Sequence, residues 1–99
     1  MDILLAELQR RWSAMFDALA RGEDVPPARA LRTEGLMEAL VLAGQADAGD
    51  LDAQMGECYR GATGRCLADD LGDDWRAYHP FPEIPLWMRR APVVPSTAD

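Results

Sequence analysis

Three kinds of side chain in this sequence have the types that covalent or acid–base chemistry uses. They are the thiols of Cys58 and Cys66, the single imidazole of His79, and the crowded carboxylates of Asp69, Asp70, Asp73 and Asp74. A thiolate and an imidazole can act as nucleophile and base without being neighbours in sequence, but such a pair needs a third group to orient the imidazole. No residue here is placed to do that, so His79 reads as a hydrogen-bonded or solvated histidine in front of Pro80. A cysteine-dependent enzyme or enzyme subunit is the least favoured of three readings.

The two cysteines stand eight residues apart. On one helix that is about 12 Å along the axis, too far for a disulfide, so a bridge would need a break near Gly61. Neither CxxC nor HxxxH spacing accompanies them, so the expectation is two free thiols and no metal site or cofactor. The four aspartates come as adjacent pairs around Leu71-Gly72, whereas a calcium loop alternates its ligands and closes on a Glu. They read as helix caps and as a solvated acidic patch that Arg or Lys of a partner could recognise. No catalytic residue is expected.

Charge narrows the partners. The chain has 99 residues and a net charge of -7, and residues 45–74 carry eight acids against Arg60 and Arg65. Nucleic-acid affinity rests on cations neutralising phosphates, so direct DNA or RNA binding is not expected. Helix-turn-helix recognition fails for the same reason: the second helix of that unit would open on Asp50 and Asp52 and run to Glu57. The expected partner is another protein, one with a basic surface. A nucleic-acid mimic that blocks a DNA-binding protein is the alternative.

The elements that must carry these groups are helical. Leu5, Leu8, Trp12, Met15 and Leu19 recur at alternating spacings of three and four, predicting an amphipathic helix over residues 2–21 ended by Gly22. The same stripe suits a helix pair, and these five residues are the candidate seam of a homodimer. Pro26-Pro27 opens a second helix, about 27–43, with Leu31, Leu36, Met37, Leu40 and Val41 facing inward and Gly44 ending it. Asp47 caps a third, about 48–60, with Asp50 as the return partner of a short-acid capping box and Leu51, Met55, Cys58, Tyr59 and Ala62 in its stripe. A break near Gly61 leaves a short fourth helix, 63–71, capped by Thr63 and closed by Gly72.

Residues 73–99 hold five of the seven prolines, so no sustained helix follows Tyr78. Yet Trp75, Tyr78, Phe81, Ile84, Leu86, Trp87 and Met88 crowd together there, and that much apolar surface is costly in water. The segment is therefore expected as an extended Pro/Trp-rich strap docked on the bundle of residues 1–72 or on a partner chain, the two making one domain. Pro82-Glu83-Ile84-Pro85 reads as part of that strap, and Arg89-Arg90 as a clip onto the acidic rim.

The expected fold is all-α: a small bundle of three main helices and a short fourth. No stretch approaches the roughly 20 apolar residues of a bilayer span, and the start lacks the basic residues of a secretory signal, so a cytoplasmic protein is expected. All basic residues are Arg, a bias that fits GC-rich bacterial coding. The leading expectation for function is a non-enzymatic acidic regulator that binds protein, an inhibitor, anti-activator or adaptor, with Trp12, Trp75, Phe81 and Trp87 as anchors. A low count of branched aliphatics favours a homodimer over a monomer.

Overall fold

The structure, a computed structural model, describes residues 2–86. It is all-α: α1 (Asp2–Ala20), α2 (Pro27–Leu42), α3 (Ala48–Thr63), α4 (Leu67–Leu71) and α5 (Trp75–Tyr78), with no strand among the described residues. The core forms where α1 packs against α3 and, less extensively, against α2.

The helix ends follow from local chemistry. Pro27 opens α2, where the missing N–H leaves no donor unsatisfied. At its other end Gly44 takes φ +73°. Gly44 N–H then donates to Val41 O at 3.0 Å and Gln45 N–H to Leu40 O at 2.9 Å, which satisfies two of the last carbonyls. Asp47 caps α3 by accepting the Gly49 N–H at 3.1 Å, and among the described residues no return bond from Asp50 completes the capping box.

Two expectations about the third helix are corrected. It does not break at Gly61: α3 runs on through Thr63 and ends at Gly64, which sits at φ +76°. A helical glycine weakens a helix by about 1 kcal/mol without ending it, and here Tyr59, wholly inside the core, anchors the last turns. Thr63 consequently lies inside α3, its hydroxyl bonded to Tyr59 O at 2.8 Å, and Cys66 is the residue that caps α4.

The core is built from Leu8, Trp12, Met15, Phe16 and Leu19 of α1, Met37 and Leu40 of α2, Leu51, Met55 and Tyr59 of α3, and Leu67 of α4. Phe16 and Tyr59 meet edge to face at 5.2 Å, a favoured aromatic geometry. The strap completes this core: Ile84 is 0% and Leu86 4% exposed, the half-buried rings of Trp75 and Phe81 pack against it, and Tyr78 is 72% exposed. Of the aromatics expected to dock the strap, Trp75 and Phe81 pack against the core and Tyr78 does not, and one helical turn, α5, stands in what was expected as extended chain.

Candidate functional site

Arg76 of α5 fixes the strap. Its guanidinium forms a two-pronged pair with the Asp52 carboxylate of α3 and donates to His79 O at 2.6 Å and Glu83 O at 2.8 Å. Its carbon lies 4.6 Å from the Trp75 ring centre and 5.5 Å from that of Phe81, within cation–π range. On the other side, Glu34 of α2 accepts the Ile84 N–H at 2.9 Å. The strap thus bridges α2 and α3. The clip was expected at Arg89-Arg90, which with Trp87 lies outside the described residues. Arg76 was missed, although a lone arginine between a tryptophan and a run of prolines was a usable signal.

The thiols and the imidazole each contact another group, and not one another, among the described residues. Cys66 Sγ donates to Asp69 Oδ2 at 3.0 Å, and the Cys66 N–H reaches the same oxygen at 3.2 Å. That side-chain bond, with burial behind it, pushes the Cys66 thiol up and draws Asp69 below the usual carboxylate range. A thiol so held is a poorer nucleophile at neutral pH. Cys58 lies 4.0 Å from Gln9 O, and both cysteines are free. His79 is 7% exposed, with Nδ1 3.2 Å from Glu83 Oε2. No hydrogen bond joins it to either thiol among the described residues. Among those residues no group of three His, Cys, Asp or Glu is arranged to hold a metal ion.

The acidic cluster divides into two halves. Asp69 is taken by Cys66, and Asp70 receives the Tyr59 hydroxyl and the Arg65 guanidinium. Asp73 and Asp74 stay exposed in the turn before α5. Among the expected anchors, Trp12 is 0% exposed. Offering it to a partner would require α1 to leave the bundle. The same holds for Leu8, Met15 and Leu19 of the expected dimer seam, which are covered by the chain's own helices, while Leu5 is half-buried at the edge of that core.

Residues of α1 and α3 together line a shallow groove of about 580 Å³. Ser13, Cys58, Gly61 and Ala62 line it with small side chains, Asp17 of α1 and Glu57 of α3 with charge, and Gln9 and Gln54 join the two helices within it, the Gln9 amide donating to Gln54 Oε1 at 2.8 Å. No basic side chain lines it. Neither carboxylate has an ion pair among the described residues. A groove of this kind can receive an apolar helix face flanked by Lys or Arg.

Compared with protein-family models, with curated proteins and with solved structures, the chain matches none. Among the described residues no helix is long and apolar enough to cross a membrane.

Proposed function

We propose that the protein is a non-enzymatic regulator that binds another protein through the α1–α3 groove, taking an amphipathic, basic segment of its partner. One observation carries this reading. The groove joins small side chains to two carboxylates, Asp17 and Glu57, with no basic side chain in its lining and Arg21 drawn to Asp17 only from outside it. A partner's Lys or Arg would supply the missing charge, and its apolar face would pack on the small side chains. The separate pairing of Cys66, Cys58 and His79 supports binding over catalysis. Internal use of Asp52, Asp69 and Asp70 weighs against the nucleic-acid mimic, because those carboxylates are spent on holding the fold.

Filling the groove tests the proposal. A Cβ added at Gly61 or at Gly35 meets no atom within 4 Å, so Gly61→Leu and Gly35→Leu should both fold, as circular dichroism would verify. Gly35 lies on α2, away from the groove. In cross-linking capture from the native host, a partner held by the wild-type protein should bind Gly35→Leu normally and Gly61→Leu at least about tenfold more weakly, some 1.4 kcal/mol. Equal capture by Gly61→Leu would sink the proposal.

A further inference from the structure

On its other flank α1 faces α2 across a second cleft, and here the charge is inverted. Four of the ten arginines of this acidic chain converge on a cleft of about 290 Å³: Arg10 and Arg11 from α1, Arg29 and Arg32 from α2. Glu7 is the one carboxylate among them, with Ala14 and the buried Thr33 behind. Arg10 bonds Glu7 through Nε at 2.9 Å and Nη2 at 2.5 Å, and Arg11 through Nε at 2.8 Å. Glu7 thus fixes both α1 guanidinium groups. Arg29 and Arg32, one helical turn apart on α2, make no ion pair among the described residues.

Like charges gathered in one cleft repel each other, and one carboxylate cannot neutralise four guanidinium groups. The chain has seventeen acidic residues, yet only Glu7 lines this site. We propose that the cleft binds a small phosphorylated ligand, with Arg29 and Arg32 as its principal phosphate contacts and Arg10 and Arg11 held by Glu7 to close the other wall. Guanidinium groups bind phosphate through paired N–H donors, and two arginines from each of two helices can surround a dianion. The volume lies at the lower end of small-molecule sites, which suits a phosphate or diphosphate head. A nucleic acid instead needs a positive track of many contacts, and beyond this cleft the chain is acidic. The inference is independent of the α1–α3 groove, because it uses a different face of α1.

Isothermal titration with pyrophosphate and with inorganic phosphate, at constant ionic strength set by sodium chloride, reads the site directly. Wild-type protein should bind pyrophosphate more tightly than phosphate. The double variant Arg29→Gln/Arg32→Gln should lose at least tenfold in affinity while keeping its helical circular dichroism. Arg21→Gln, an exposed arginine paired with Glu23 outside the cleft, should bind as wild type. Equal loss in Arg21→Gln, unchanged binding by the double variant, or no binding by wild type would overturn the proposal. So would binding only to anionic phospholipid vesicles and to neither soluble anion, since that would make the arginines a membrane contact.

Discussion

Cys66 and Asp69 show how one side-chain pair can serve structure and suppress chemistry together. The carboxylate accepts both the backbone N–H and the thiol of the residue that opens α4, and the thiol is raised as a result. Removing the charge should therefore free the thiol. Asp69→Asn is expected to speed alkylation of Cys66 by iodoacetamide several-fold at pH 7.5, read by mass spectrometry against Cys58 as the internal reference. A slower or unchanged reaction would show that the carboxylate does not control the thiol. The sequence could not announce this pair, because cysteine is an unusual cap and Thr63, three residues earlier, has the commoner capping chemistry.

The strap is held by its backbone and by two aliphatic side chains more than by its rings, and the energetics should follow that order. Ile84→Ala should cost about 2–4 kcal/mol, as expected for an aliphatic side chain removed from a closed core. Arg76→Ala should cost about 2–3 kcal/mol, because it strands the Asp52 carboxylate and two carbonyls at once. Phe81→Ala should cost less than Ile84→Ala, since the ring is only half-buried; urea unfolding that reversed the order would contradict this account. The first four helices were legible. The three-and-four spacing of α1, the Pro26-Pro27 start of α2 and the glycines at 22 and 44 are local signals, and α1 to α4 each appear within a few residues of their expected places, whereas α5 was not foreseen. Arg76 had only a local signal, its place between Trp75 and the prolines, with nothing to name Asp52 as its partner, and the arginine cleft had none, because both depend on which helix faces which. Arg10 and Arg11 fell on the polar side of α1, and nothing in the spacing told that Arg29 and Arg32 would stand opposite them.

At the scale of the molecule, charge is partly sorted: four of the ten arginines gather between α1 and α2, Asp17 and Glu57 line the α1–α3 groove, and elsewhere carboxylates are paired with arginines, as Asp52 is with Arg76 and Asp70 with Arg65. This sorting gives acid stability a definite sign. Arg10 and Arg11 hold the Glu7 carboxyl at about 2, and Glu23 and Asp69 are lowered as well. A carboxylate whose pKa is lower in the fold than in the unfolded chain binds fewer protons there. Its stabilisation is therefore complete above the unfolded value of about 4.3 and is lost as pH falls through the folded value. All ten arginines keep their charge in that range, so protonating the acids also leaves a strongly positive, self-repelling chain. The melting temperature should therefore change little between pH 8 and 5 and fall steadily from about pH 4.5 towards 2. Glu7→Gln should flatten part of that fall, and only part, because exposed pairs of this kind are individually weak. A melting temperature that rose on acidification below pH 4 would mean that relief of carboxylate repulsion outweighs the lost pairs, and that the carboxylates grouped on this surface strain the fold more than their arginine partners support it.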